Sequence, residues 1–410
     1  MPEQTPENVE RTLYRKRQEV QRLRQQLYGR PGPGTAPDLL DALLAAEETL
    51  HTLEAAVSEP ADDSGVLLTT TAHAPASKGV LMGTDTTGID VDVSLRQSHV
   101  PTGVVHLLDP DEMPLVSYTV KCMSDEPVRL RLTTFVEGYS AKCIDTVELH
   151  YDESVEIRHL PTFFPRRLRG VTELTRATLH VRVDDLDGTP EQHSTFPIWL
   201  LPRTSAYLGI EDPATGAWLD LAPFLGAWVT PNAPAVMDVL REAADHHPQR
   251  AIAGYQVDTA GIEAQVRAIY GALAAAEVVY VNSVLAFGVT KGTYMQRVRL
   301  PSEALERRSA NCLDGTLLMA SLLEAASLNP GIVLVPGHAF LAWETQDSSG
   351  EWDYLETTMV GTDEFSAAQT AGRRLAERQC ALVDRTGNAR FFRRLSVPDL
   401  RVDAGITPMA

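Results

Sequence analysis

The fold of the second half of this chain is decided by one stretch, Ser309-Ala310-Asn311-Cys312-Leu313-Asp314-Gly315-Thr316-Leu317-Leu318-Met319. Ser309 or Asn311 can cap a helix, and the leucine-rich run that follows predicts a buried helical body. Cys312 then lies in or beside the first turn, where unpaired N–H groups and the helix dipole stabilise a thiolate. The same N–H groups can hold a developing oxyanion. The stretch therefore predicts that Cys312 is a nucleophile rather than a packing thiol.

A hairpin downstream of Cys312 supplies the partners that a nucleophilic thiol needs. Residues 331–335 and 338–344 are typical of strands broken at Pro336-Gly337, and residues 352–357 return after a polar turn. If the hairpin is centred on Asp347, His338 and Glu356 lie directly opposite each other, with Cβ atoms roughly 5 Å apart. One imidazole nitrogen can then donate to the carboxylate while the other faces the thiol. We predict His338 as base and Glu356 as orienting acid.

This order of residues resembles the core of the transglutaminase-like superfamily, which shares the papain-like thiol-enzyme fold. The resemblance covers roughly residues 255–365 and depends on three short motifs: Asn311-Cys312-x-Asp314 before a Leu-rich helix, Gly337-His338-Ala339 with Trp343, and Trp352-x-x-Leu355-Glu356-Thr357. It implies chemistry at amide bonds through a thioester, with no cofactor. Cys312 attacks the carbonyl, His338 protonates the departing amine, and water or another amine releases the acyl group.

Two features of that family leave alternatives open in this chain. Members usually carry Asp where this chain has Glu356, so Asp353 is a competing candidate for the acid. Members also often place a polar side chain from upstream of the cysteine in the oxyanion hole. The candidates for that role are Tyr280, Asn282 and Tyr294, and the sequence does not choose among them.

The N-terminal half has a different pattern. Residues 7–28 and 38–57 carry leucine stripes at helical spacing around a Pro-Gly break, which predicts a coiled-coil-like helical hairpin over 1–58. From 66 to 203 the periodicity becomes two, which favours an immunoglobulin-like β-sandwich. The expected strands are 88–95, 115–123, 128–136, 146–151, 154–160, 177–183 and 194–201.

The tail after residue 365 is open to two interpretations, as the completion of the catalytic domain or as a lid. It predicts a helix over 364–378 and a strand over 381–384, followed by the apolar run 391–400. Cys380 has no His near it in sequence and is interpreted as structural.

Composition excludes several function classes. A net charge of −19 argues against nucleic acid as a main partner, because phosphate binding needs a concentrated basic surface. No apolar run approaches the roughly 20 residues of a membrane helix. Four cysteines and a polar N-terminus favour the reducing cytoplasm. Adjacent histidines point apart, so Asp245-His246-His247 is not interpreted as a metal site, and no metal or cofactor is expected.

These expectations combine into a multidomain protein: a helical hairpin (1–58), a β-sandwich (66–203) and an α+β transglutaminase-like domain (204–410). The expected function is that of a cytoplasmic cysteine peptidase or amidase acting on a protein or peptide, regulated by its N-terminal domains. The alternatives are a transamidating transglutaminase and a catalytically inactive scaffold or assembly protein. The hairpin is the expected contact for a protein partner, and no nucleic acid or membrane partner is expected.

Overall fold

A computed structural model describes residues 78–82, 88–187, 192–211, 218–281 and 293–409. It also describes single positions near the N-terminus, all of them helical: Thr12, Arg15, Lys16, Glu19, Leu23, Ala46 and Thr49. The predicted helices over 7–28 and 38–57 otherwise lie outside the described residues. In the described part of the chain, no helix is both long and apolar enough to cross a membrane.

The described chain contains both helices and strands, and its strands form several sheets. The helices are α1 (Pro165–Leu168), α2 (Pro234–His246), α3 (Thr259–Ala275), α4 (Pro301–Glu306), α5 (Cys312–Ala325), α6 (Phe365–Thr386) and α7 (Val397–Val402). The first nine strands are β1 (Lys78–Met82), β2 (Ile89–Leu95), β3 (His99–Pro101), β4 (Val116–Cys122), β5 (Val128–Val136), β6 (Cys143–Leu149), β7 (Ser154–His159), β8 (Thr175–Asp185) and β9 (Gln192–Leu201). The other nine are β10 (Ser205–Glu211), β11 (Trp218–Asp220), β12 (Val279–Tyr280), β13 (Thr293–Arg297), β14 (Ser309–Ala310), β15 (Pro330–Val335), β16 (His338–Glu344), β17 (Trp352–Leu355) and β18 (Arg393–Ser396).

The described residues fall into two compact units. One contains 230–281 and 300–399, and the other contains most of 78–229 together with 293–299 and 400–409. The second unit includes β10, β11 and β13, which pair with one another in a small sheet beyond residue 203.

The strands of the second unit form a four-stranded sheet, β1-β2-β4-β7, and a five-stranded sheet, β3-β9-β8-β5-β6. All seven predicted strands are confirmed, and β1 and β3 are additional. Alternate residues are buried along β2, β5 and β8, which is the pattern of strands with one face on a core. The interiors of the two sheets meet where the Tyr118 hydroxyl of β4 hydrogen-bonds the Thr134 hydroxyl of β5.

The first unit is built around α5 and an antiparallel sheet in the order β17-β16-β15-β18. Every residue of β16 is buried, as is every residue of α5 from Cys312 to Leu323. Helix α5 packs against β15 and β16 and against α2, α3 and α4. Helix α6 lies along β17, and its Leu375 joins a core cluster with Val333 and Phe340.

Two expectations about this unit are wrong in detail. Residues 381–384 continue α6 and do not form a strand, because the chain has no helix-stop signal near residue 378. The helix ends only at Gly387, whose φ of 66° terminates it. The hairpin register is also shifted. Leu341 pairs with Leu355 and Trp343 with Asp353, so the hairpin is centred on residue 348 and not on Asp347.

Candidate functional site: a buried thiol, imidazole and carboxylate

Cys312 is the first residue of α5, as its sequence context predicts. Asn311 is the N-cap: its side-chain oxygen accepts from the Asp314 N–H at 2.8 Å, and the Asp314 carboxylate accepts from the Asn311 N–H at 3.1 Å. This reciprocal pair is a capping box, which satisfies two backbone donors at the helix start and fixes the entry of the chain. The capping box therefore fixes the backbone position of Cys312. The residue is buried, with only 7% of its surface exposed.

The structure brings Cys312, His338 and Glu356 together. Glu356 follows the last residue of β17, and its Oε2 lies 2.7 Å from Nε2 of His338, the first residue of β16. His338 is also hydrogen-bonded to the Cys312 side chain. Because Nε2 is engaged by the carboxylate, Nδ1 is the nitrogen left to serve the sulfur.

Glu356 is held in place by the turn that follows it and by α6. Its other oxygen accepts from the Thr358 N–H at 3.0 Å and from the Thr358 hydroxyl at 2.7 Å, while its own N–H donates to the Ala368 carbonyl. Gly372 permits that contact, because a Cβ there would lie 2.7 Å from the Leu355 nitrogen. The acid is thus positioned by main-chain packing and not by its strand alone.

The thiol receives two hydrogen bonds that favour the thiolate. Burial is the largest single influence on Cys312 and opposes ionisation. The hydrogen bond and positive charge of His338, together with the Ala339 N–H, outweigh it, so the pKa of Cys312 is lowered below its usual range. Cys143 and Cys380 differ, since burial raises the pKa of both.

The pKa values of the imidazole and the carboxylate both shift in the direction that favours the charged form. Burial alone would lower the pKa of His338, but the charge of Glu356 and the hydrogen bonds to Cys312 and Glu356 raise it to about 10. Burial would raise the pKa of Glu356, but its contacts with His338 and Thr358 lower it. The three shifts thus favour a thiolate, an imidazolium and a carboxylate in a row over the corresponding neutral groups.

The competing acid, Asp353, is engaged elsewhere. Its two oxygens accept from Arg373 Nε at 2.6 Å and Arg373 Nη2 at 2.5 Å, and Oδ2 also accepts from Gln369 at 2.9 Å. These contacts join β17 to α6. Asp353 acts as a structural tie in this unit, and Glu356 is the carboxylate on the imidazole.

Of the three oxyanion candidates, the structure describes only one side chain near the thiol. Tyr280 lies on β12, which pairs in parallel with β14 directly before Asn311. Burial raises the pKa of Tyr280, and the charges of Cys312 and Glu356 raise it further, which shows that its hydroxyl is close to both. Asn282 lies outside the described residues. Tyr294 is described only by its backbone in β13, which belongs to the other unit.

A small cavity adjoins the site on this side. It is lined by Tyr280, Asn311, Gly315, Thr357 and neighbouring apolar residues, and its volume of about 20 Å³ admits a single water molecule. Gly315 shapes this approach, because a Cβ there would lie 3.3 Å from the Thr357 hydroxyl.

Sequence reasoning missed the Ala339 N–H and Thr358, which touch the sulfur and the carboxylate. Backbone donors carry no residue-type signal, and Thr358 is recognisable only as a residue two positions after an N-capping Glu.

Neither a scan against protein-family models nor a search of the curated proteins finds a match to this chain.

Proposed function

We propose that this protein is a thiol hydrolase that cleaves amide bonds of a protein or peptide through a thioester on Cys312. One observation carries the proposal: a buried thiol at a helix start is hydrogen-bonded to an imidazole that is in turn bonded to a carboxylate. A thiolate activated by an imidazolium, with a third group orienting the base, is the arrangement that nucleophilic acyl transfer requires. A cysteine that serves only for packing has no use for the lowered pKa.

In the proposed reaction the Cys312 thiolate attacks the carbonyl carbon, and the carbonyl electron pair moves onto its oxygen. The C–N bond then breaks, and the imidazolium of His338 gives its Nδ1 proton to the departing amine, which leaves a thioester and neutral imidazole. Neutral His338 next takes a proton from water as that water attacks the thioester. Breakdown releases the acid and restores the thiolate and the imidazolium. Throughout, Glu356 holds the Nε2 proton and the ring orientation.

Tyr280 is the proposed donor to the oxyanion. Its hydroxyl lies near the sulfur and has no hydrogen-bond partner within the described part of the chain. Because burial raises the pKa of Tyr280, the phenol keeps its proton at neutral pH and can donate it in a hydrogen bond. Removing one oxyanion donor lowers turnover by roughly 10²–10³-fold in well-studied enzymes, so Tyr280→Phe is expected to reduce acylation without changing the pKa of Cys312.

The finer architecture belongs to the same proposal. We interpret the unit with α5 as a transglutaminase-like domain. We interpret the two larger sheets of the second unit as an immunoglobulin-like β-sandwich that serves recognition or regulation. The protein is proposed to act in the cytoplasm. The two units and the buried triad support this interpretation, and the predicted N-terminal hairpin supplies the contact for a partner.

The test is a burst experiment with an activated acyl donor, p-nitrophenyl acetate, on the full chain. Rapid release of about one p-nitrophenol per protein is expected from the wild type, followed by slower turnover, because acylation precedes deacylation. Cys312→Ala should abolish the burst. Cys380→Ala, a thiol of the same unit, is the matched control and should retain it. A wild type without a burst, or a burst that survives Cys312→Ala, would refute the proposal and favour the inactive scaffold.

Hydrolysis and transamidation share the thioester, so a second assay separates them. Unfolded casein is incubated with the enzyme, with and without a fluorescent primary amine. Cleavage of casein supports the peptidase, whereas fluorescence coupled to intact casein supports a transglutaminase. The acylation burst is common to both and does not decide between them.

A further inference from the structure

A second cluster of reactive side chains lies in the second unit, where the edge strands β6 and β7 of its two larger sheets come together. Cys143 and Asp145 are two residues apart on β6 and therefore point to the same side of that strand. His159 ends β7, the edge strand of the other sheet. One ligand atom from each of the three lies within 4.8 Å of the others.

The three side chains differ in exposure in a way that suits a site open on one side. His159 is fully buried, Cys143 is half-buried, and the Asp145 side chain is 54% exposed. Nε2 of His159 lies 2.9 Å from Asp145 Oδ2. The imidazole thus approaches from the interior, and the carboxylate closes the group from the solvent side.

The second ring nitrogen of His159 is held by a hydrogen bond inside the protein. Nδ1 of His159 lies 2.8 Å from the Thr134 hydroxyl, which is itself bonded to the buried Tyr118 hydroxyl. Metal-binding histidines almost always give their second ring nitrogen to such a partner, which fixes the tautomer and aims the free nitrogen. When Nδ1 donates to Thr134, Nε2 presents a lone pair to Asp145 and Cys143.

We propose that Cys143, Asp145 and His159 bind a divalent transition-metal ion, with Zn²⁺ the best fit. A thiolate sulfur, an imidazole nitrogen and a carboxylate oxygen are the donors that Zn²⁺ takes, and three protein ligands leave a fourth position for water. The ion would tie β6 to β7 and so join the edges of the two sheets. An imidazole–carboxylate hydrogen bond alone accounts for two of the residues but gives no role to the thiol beside them.

This site is independent of the one at Cys312, and the sequence pattern gave no sign of it. Cys143 and Asp145 are two positions apart on β6, and His159 follows 14 positions later on β7. This spacing matches no compact metal-binding motif. Only the facing of β6 and β7 brings them together.

The experiment measures Zn²⁺ binding to the full chain in a Cys312→Ala background, which removes the other candidate thiol. Equilibrium dialysis after chelation should give one Zn²⁺ per chain. Adding Cys143→Ser should weaken binding by more than the roughly 10–100-fold that is caused by losing a hydrogen-bond partner of a metal ligand. Adding Asp145→Asn should also weaken it. The matched control, Cys380→Ser in the same background, should bind like the parent.

A second readout guards against loss of folding. Co²⁺ in place of Zn²⁺ should give a sulfur-to-metal charge-transfer band that disappears with Cys143→Ser, and circular dichroism reports whether that variant is folded. Absence of stoichiometric binding in the Cys312→Ala protein would overturn the proposal. So would Zn²⁺ binding that is unchanged in both the Cys143→Ser and the Asp145→Asn proteins.

Discussion

Replacing Glu356 by Gln tests the electrostatic core of the site without changing its shape. The side-chain oxygen of Gln can still accept from Thr358, as Oε1 of Glu356 does. Its amide nitrogen, however, would face Nε2 of His338 and donate to it. That exchange places the imidazole proton on Nδ1, so neutral His338 could no longer take a proton from Cys312.

The size of the effect follows from the pKa of His338. The pKa of His338 is raised from 6.5 to about 10, which favours the imidazolium by on the order of 5 kcal/mol. The charge of Glu356 is the largest influence that raises it. If only half of the shift is due to Glu356, the equilibrium for proton transfer from thiol to imidazole changes by about 50-fold. Loss of the Glu356 charge itself favours the thiolate, but that charge ranks last among the influences on Cys312.

The assay is alkylation of Cys312 by iodoacetamide across pH, followed by mass spectrometry. In the wild type the pKa of Cys312 is lowered, so the ion pair forms at lower pH than the ordinary thiol pKa would allow, and it is lost when the imidazolium deprotonates near pH 10. In E356Q the imidazolium should be lost at much lower pH, and alkylation at pH 7.5 should fall by tens of times. Glu351→Gln, an exposed change on the same hairpin, is the control. An E356Q rate at pH 7.5 equal to that of the wild type would refute the ion-pair argument.

Further variants separate the acid from its surroundings. We expect Asp353→Asn to lower the free energy of unfolding by about 1–3 kcal/mol through loss of the Arg373 contact, with Cys312 alkylation unchanged; urea denaturation and labelling check both. Gly372→Ala should destabilise by about 1–3 kcal/mol and also slow alkylation, because its Cβ would lie 2.7 Å from the β17 backbone. If Gly372→Ala changes neither the urea midpoint nor the labelling rate, the close packing of α6 on β17 does not position the acid. Glu356→Asp should slow alkylation at pH 7.5, because the shorter side chain would not reach Nε2 of His338.

The sheets were predictable because the patterns that produce them are local. Every second residue from 128 to 136 is buried, and the observed strand β5 has those bounds. The start of α5 was equally accessible, since Asn311 and Asp314 form a capping box whose residue types are visible in sequence. Both cases depend on neighbours within a few positions in the chain.

What depended on packing between elements was not predictable. Residues 381–384 carry an apolar pair that suits a strand, but they continue α6, whose buried side is set by β17 and the core around Leu375. The metal-binding candidates on β6 and β7 come together only when two sheets face each other. Local propensity says nothing about either contact, and tertiary packing overrides it where the two conflict.

The acid at 356 lies outside the paired part of the hairpin. The pairing of β16 with β17 ends at Leu341 and Leu355, and Glu356 caps the short 3₁₀ turn Thr357–Met359 that follows. Its carboxylate reaches Nε2 of His338 from that turn. An Asp at 356, shorter by one carbon–carbon bond of about 1.5 Å, would leave the 2.7 Å contact with Nε2 open beyond hydrogen-bond distance. Glu, and not Asp, therefore has the length that this contact needs, and full alkylation of Cys312 in Glu356→Asp at pH 7.5 would show that this reasoning is wrong.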